Sequence, residues 1–233
     1  MVKSKPLRFL PNLITLANLF FGCVGIVLAL NSEIHLAVYT IWVCAVLDVL
    51  DGFAARSLGV SSDIGKQLDS LADLVSFGLL PSVILYTLMA GFIEMPWPYF
   101  ALLITLFSAL RLARFNLDPE QGTDFKGLPT PANALFISSI PALIDQIGRN
   151  LRPELENPAY WLLIIAILCY LLVSKVWLFG FKFQRFGWIE NKYRYMFIVL
   201  SAILIIAWGI KGVPLVLLCY LVLSFIWRYQ SSR

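Results

Sequence analysis

Apolar runs long enough to cross a bilayer recur from one end of this 233-residue chain to the other, and no other feature restricts its fold so severely. A segment crossing hydrocarbon needs about 20 mostly apolar residues in a helix, because backbone amides left unpaired in lipid are too costly for irregular structure. Hydrophobic residues make up 60% of the chain and charged residues 14%, against roughly 25% charged in a soluble domain. The reading is an all-α, polytopic transmembrane bundle with spanning helices at approximately 13 to 30, 36 to 57, 65 to 90, 97 to 115, 132 to 147, 159 to 180, 193 to 210 and 213 to 229. Asn31-Ser32, Pro96 and Pro98, Pro129 and Pro131, Pro158, and Gly212 with Pro214 supply the breaks. Residues 1 to 233 read as a single membrane domain without linker, repeat or soluble appendage, and no small-residue cleavage site marks a removable leader.

In such a chain the basic residues report orientation. With Lys3, Lys5 and Arg8 in the cytoplasm, Arg56, Lys66, Arg114, Lys126, Lys182, Arg185, Lys192 and Arg194 fall on that same side, while the other keeps Arg149, Arg152 and Lys211. Both termini are therefore expected to be cytoplasmic. The net charge of +4 reflects this asymmetry and calls for no nucleic-acid partner. Cys23, Cys44, Cys169 and Cys219 are scattered through apolar stretches and read as packing residues, and His35 as a solvated residue of a short loop on the far side.

Against this background Asp48, Asp51, Asp69 and Asp73 stand out: four acids within 26 positions, in helices otherwise fit for lipid. An acid at the bilayer centre costs about 2.5 to 3.5 kcal/mol on insertion scales and marks a functional position by default. Asp48, Asp51, Gly52, Ala55 and Arg56 follow helical i, i+3, i+4, i+7, i+8 spacing and share one face. Gly65, Asp69 and Asp73 repeat the stripe at i, i+4 and i+8 on the next helix, with Ala72 and Ser76 beside them. A short turn joins the two, so the stripes face each other near the cytoplasmic surface. Converging carboxylates repel unless neutralised. They are hard ligands suited to Mg²⁺ or Mn²⁺, and no histidine or cysteine stands near to favour zinc. Two divalent ions would balance four negative charges and form a familiar device for phosphoryl chemistry. Gly52 and Ala55 leave room for a ligand phosphate or a neighbouring helix, and Arg56 is placed to hold a diphosphate oxygen.

The pattern Asp48-x-x-Asp51-Gly52-x-x-Ala55-Arg56, eight residues, Gly65-x-x-x-Asp69-x-x-x-Asp73 resembles the motif of the CDP-alcohol phosphatidyltransferase family at every fixed position. The resemblance implies that Asp48, Asp51, Asp69 and Asp73 bind a metal pair, that Asp73 is also the general base, and that Gly52, Arg56 and Ser62 contact a CDP-linked lipid. It implies displacement at a phosphorus of the CDP-linked diphosphate by an alcohol, with release of CMP. The segment Pro11-Asn12-Leu-Ile-Thr15 is similar to the start of the first helix in relatives, which adds Asn12 and Thr15 to the nucleotide pocket.

The stretches Arg111-Leu-Ala-Arg114-Phe-Asn116 and Phe125-Lys-Gly127-Leu-Pro129-Thr-Pro131-Ala-Asn133 resemble the matching region of the membrane-embedded phosphatidylserine synthases in that family. L-serine offers a carboxylate, which suits an arginine fork, and an ammonium, which suits neutral oxygen acceptors. Arg111 and Arg114 at i, i+3 would supply the first, and Asn116, Thr130 and Asn133 the second. Simpler readings stand beside these: Arg111 and Arg114 as interfacial anchors, Ser62 as a helix cap, Gly65 as a point of close helix approach, and Asn12 and Thr15 as the opening of a helix.

The expected partners are CDP-diacylglycerol, L-serine and membrane lipid, with a homodimer implied by the resemblance. A bacterial inner membrane with the site facing the cytoplasm suits the single-domain form. The alternatives are another acceptor in the same chemistry, glycerol phosphate or inositol phosphate, and, in a different class, a divalent-cation transporter. A phosphate-bearing acceptor asks for a denser basic pocket than Arg111 and Arg114 offer. A transport pathway asks for acids spread through depth or repeated halves, and the acids here form one cluster.

Overall fold

The computed structural model describes residues 9–60, 62–117, 125–147, 150–180 and 187–231. Local signals set the helix ends around the acidic stripe. Helix α1 (Leu10–Leu30) begins with Pro11 in its first turn, where an amide proton has no helical partner to lose. Helix α2 (Ile34–Leu58) stops at Gly59, whose φ of 62° lets its own amide and that of Val60 close onto the carbonyls of Arg56 and Ala55. Ser62 then starts α3 (Asp63–Asp73) by accepting the Gly65 amide at 3.0 Å.

The helix expected from 65 to 90 is one apolar rod from Asp63 to Ala90, but its winding changes midway. Leu74–Leu79 is π-helical and leads into α4 (Leu80–Ala90). Pro81 accounts for this: it lacks an amide proton and its ring crowds the carbonyl four residues back, so the preceding turn widens. The Leu80 amide reaches the Val75 carbonyl five residues away, and Ser82 Oγ donates to the Gly78 carbonyl at 2.7 Å.

A 3₁₀ turn, Trp97–Leu102, precedes α5 (Leu103–Leu117). Strand β1 (Phe125–Lys126), α6 (Thr130–Ile147), the short α7 (Arg152–Leu155), α8 (Pro158–Val173), β2 (Trp177–Leu178), α9 (Trp188–Trp208) and α10 (Val213–Ser231) follow. The helix expected to run to residue 180 ends at Val173. Ser174 is extended, and the chain beyond it pairs antiparallel with β1 in the register Phe125↔Leu178. Backbone amides tie this loop down, Leu128 donating to the Leu171 carbonyl of α8 and Gly127 to the Val176 carbonyl just beyond that helix. Gly127 has φ +79°, and a Cβ there would lie 2.7 Å from the Leu172 carbonyl oxygen. His35 also departs from expectation: it sits in the first turn of α2 with Nε2 3.4 Å from Asp145 Oδ2 of α6, both side chains exposed.

Each segment read as helical is helical over most of its length, the sixth ending early at Val173. Leu10–Leu30, Ile34–Leu58, Asp63–Ala90, Trp97–Leu117 and Asn191–Gln230 are long and apolar enough to cross a membrane. The last, at 40 residues, is a hairpin of α9 and α10 in which Lys192 and Tyr193 meet Gln230. The basic residues Lys3, Lys5, Arg8, Arg149, Lys182 and Arg185 lie outside the described residues.

Small residues bring the first helices together. A Cβ on Gly22 would lie 2.5 Å from Ser76 Oγ, and one on Gly25 would overlap Thr40 Oγ1 and come within 2.8 Å of Leu80 Cδ2. Ile41, Phe77, Leu80 and Ile84 fill the resulting core, and Leu85, Ile104, Ile137, Ile165 and Leu172 form a second around α5 and α8. A third, with Leu128, Leu178, Phe179 and Tyr220, supports the 125–129 loop. Phe20, Val27, Ile206 and Phe225 point outward among many exposed apolar side chains, as contact with lipid requires.

Candidate active site where α1, α2 and α3 meet

Helix α2 leaves and α3 enters at the same end of the bundle, where the beginning of α1 packs against both. Asp48, Asp51 and Asp69 converge there, each offering a carboxylate oxygen within 4.8 Å of the others. Asp51 is buried, Asp48 and Asp69 partly so. The Thr15 hydroxyl reaches Asp51 Oδ2 at 2.7 Å and the Pro11 carbonyl at 3.0 Å, so α1 fixes the most buried acid. Arg56, exposed in the last turn of α2, acts on Asp51 through its charge.

These acids border a cavity of about 1380 Å³. The α2 stripe of Asp48, Asp51, Gly52, Ala55 and Arg56 all lines it, as one-face spacing predicts, together with Asn12, Thr15, Ser62, Gly65 and Asp69. Ser62 is thus both the cap of α3 and part of the wall. Gly65 allows close approach to α1, since a Cβ would lie 3.1 Å from Asn12 Oδ1. Gly52 lines the cavity. A Cβ there would meet Arg56 Nη1 at 3.3 Å and no neighbouring helix, so the glycine lets its own helix's guanidinium lie back beside the cavity.

Asp73 stands apart. It does not border the cavity, and its Oδ1 is buried with no hydrogen-bond partner among the described residues. The Arg111 charge acts on it.

The five residues assigned to an amino-acid acceptor divide in space. Arg111, buried in α5, has Nη1 3.4 Å from Thr130 Oγ1 at the start of α6, one turn before the fully buried Asn133. Arg111 Nε and both side-chain polar atoms of Asn133 lack partners among the described residues. Asn116 instead donates to Ser70 Oγ of α3 at 2.8 Å, and Arg114 is exposed. None of the five borders the cavity, whereas Pro129, Pro131 and Ala132 from the same turn do.

Several wall residues carried no signal in the sequence. Lys66, which the sequence marks only as one of the basic residues on the cytoplasmic side, borders the cavity and donates to the Asn116 carbonyl at 3.5 Å. Phe197, Ser201, Leu217 and Tyr220 of the α9–α10 hairpin contribute a mainly apolar part of the wall. A residue in an apolar helix looks alike in sequence whether it faces lipid or a cavity, so only folding distinguishes them.

The donor set fits divalent metal ions. Three carboxylates crowded together, all oxygen donors with no imidazole or thiolate among them, match hard cations such as Mg²⁺ or Mn²⁺. The unpartnered oxygen of Asp73 lies on the same helix face one turn beyond Asp69.

The family model for CDP-alcohol phosphatidyltransferases matches residues 8–174. A Bacillus subtilis protein named CDP-diacylglycerol--serine O-phosphatidyltransferase is 32% identical over 180 residues, 77% of this chain and 92% of the relative. One of the same name from Helicobacter pylori is 32% identical over 179 residues, 76% and 74% of the two chains. A Mycobacterium leprae protein, again so named, is 38% identical over 149 residues, 61% of this chain and 49% of the relative, so the chain spans about half the length of that mycobacterial protein.

Proposed function

The chain belongs to the CDP-alcohol phosphatidyltransferase family, and we propose that it transfers the phosphatidyl group of CDP-diacylglycerol to the hydroxyl of L-serine, releasing CMP. The observation that carries this reading is the convergence of Asp48, Asp51 and Asp69 on a cavity that α9 and α10 line with mainly apolar side chains. Such a cavity suits a substrate with a charged diphosphate at one end and acyl chains at the other. The names of relatives matched over most of their length support serine as the acceptor.

Asp48, Asp51 and Asp69, with Asp73, would hold two divalent ions, Mg²⁺ or Mn²⁺. Bound there, the ions supply positive charge to the attacked phosphate and the departing oxygen. The protein's own groups do the rest. Thr15 holds Asp51 in place, and Arg56 and Lys66 bring positive charge to the cavity edge for the diphosphate. Asn12, Thr15, Gly52 and Ser62 border the space assigned to the CDP-lipid. Asp73 takes the serine hydroxyl proton as that oxygen bonds to phosphorus, and the bond from phosphorus to the CMP oxygen breaks. Arg111 is the better candidate of the two arginines for the serine carboxylate, because it is buried, close to Thr130 and electrostatically linked to Asp73. Thr130, Asn133 and Asn116 complete the acceptor assignment, with Arg114 exposed on the same helix as Arg111.

The protein is an integral membrane protein. We read it further as a single domain of eight spans with both termini cytoplasmic, acting as a homodimer in a bacterial inner membrane. Supporting this orientation, the site, Arg56, Lys66, Lys126 and Lys192 belong to helix ends and loops on the side assigned to the cytoplasm. The test is incorporation of labelled L-serine into lipid by purified protein supplied with CDP-diacylglycerol and Mn²⁺ or Mg²⁺. Label in phosphatidylserine, uncompeted by glycerol 3-phosphate or inositol phosphate, is expected. Lipid product with either phosphate acceptor instead would retain the acidic site and discard the serine assignment.

A further inference from the structure

Asn18 is fully buried in the middle of α1, and neither Oδ1 nor Nδ2 has a hydrogen-bond partner among the described residues. A buried carboxamide left unpaired is costly, so it calls for a partner that the helical framework itself does not provide.

Its surroundings identify one. The Asn18 backbone carbonyl accepts from Ser76 Oγ at 3.1 Å and from Cys44 Sγ at 3.4 Å. Cys44 is one turn from Asp48 on α2, Ser76 one turn beyond Asp73, and Asn18 itself one turn below Thr15, which bonds Asp51. Three helices thus each place an acid or acid-holding residue on the same face as a residue of the Asn18 contact set. Cys44 lies within electrostatic reach of both Asp48 and Asp73. In the same region Asp73 Oδ1 is a buried acceptor without a donor, and Asn18 Nδ2 is a buried donor without an acceptor.

We propose that Asn18 is a positioning residue for Asp73, its carboxamide donating to the buried Oδ1 across one interior water. The other Asp73 oxygen is thereby kept in a fixed orientation for metal and for the acceptor hydroxyl. This rests on the reading of Asp73 as metal ligand and base. Partners that orient ligating carboxylates are worth about ten- to a hundred-fold in metal affinity or activity.

The test compares Asn18→Ala with Asn18→Ser, a pair alike in size in which only serine retains a hydroxyl able to bond through water. Mn²⁺ affinity of the metal-free protein is titrated without substrate, and kcat and KM for CDP-diacylglycerol are measured separately. Asn18→Ala is expected to lose about ten-fold or more in Mn²⁺ affinity and in kcat. Its KM should stay within about two-fold of the native value, and Asn18→Ser should regain most of the loss. Native Mn²⁺ affinity in Asn18→Ala would overturn the proposal. So would equal losses in the two variants, or losses matched by a fall in folded fraction, since each describes a packing role. Because the titration needs no turnover, it decides the role of Asn18 even where no acceptor releases CMP and the parent reading fails.

Discussion

Two single substitutions separate support of the site from support of the fold. Thr15→Val keeps the shape of the side chain and removes the 2.7 Å contact to Asp51. Mn²⁺ affinity, followed by titration, is expected to fall about ten-fold, in line with loss of an outer-shell partner. Gly52→Ala places a methyl 3.3 Å from Arg56 Nη1, the movable end of a long side chain. Its thermal midpoint in detergent should therefore stay near the native value, while KM for CDP-diacylglycerol rises because the guanidinium is displaced from the cavity edge. A falling midpoint with unchanged KM would give Gly52 a packing role instead. At this scale the sequence was most informative where chemistry was unusual for its setting. Acids in apolar helices announced themselves, and the helical period placed Asp48, Asp51, Gly52, Ala55 and Arg56 on one face. Asn18 escaped notice because one asparagine in an apolar helix has no pattern, and its unpaired amide is visible only after three helices close around it.

At the scale of elements, the start of α3 carries two roles that a matched pair of variants can divide. Ser62→Ala removes the acceptor for the Gly65 amide, at an expected cost of about 1 kcal/mol in stability. Ser62→Asp restores a cap, so its thermal midpoint should recover. Its added negative charge beside the diphosphate should leave CDP-diacylglycerol binding weak. Recovery of both properties would make Ser62 a cap alone. The ends of elements were also where sequence and structure diverged. The apolar pattern continues through Lys175 to Gly180 well enough to extend a helix, but the tertiary pairing of Trp177–Leu178 with Phe125–Lys126 overrides it. The π-helical turn before Pro81 was equally hidden, since a proline within an apolar run signals a disturbance without specifying how the backbone absorbs it. Apolar composition likewise did not reveal that α9 and α10, beyond the residues matched by the family model, furnish a wall of the cavity.

For the molecule as a whole, the concentration of the site at one end gives orientation a functional meaning, because the proposed substrates, CDP-diacylglycerol and L-serine, would have to reach that end. In sealed cells a cysteine replacing Lys211, between α9 and α10, is expected to react with a membrane-impermeant thiol reagent added outside. One replacing Lys192, near the other end of the hairpin, should react only after the membrane is opened. The reverse pattern would invert the topology. The central claim is that a metal-binding carboxylate cluster performs phosphatidyl transfer to serine. It is tested most directly by CMP release from CDP-diacylglycerol, with and without L-serine and Mn²⁺, by native protein and by Asp69→Asn measured together with Mn²⁺ binding. The account predicts release that requires both serine and metal, and a fall of at least about a hundred-fold in Asp69→Asn alongside weakened Mn²⁺ binding. Release that persists without metal, or in Asp69→Asn at the native rate, would contradict it.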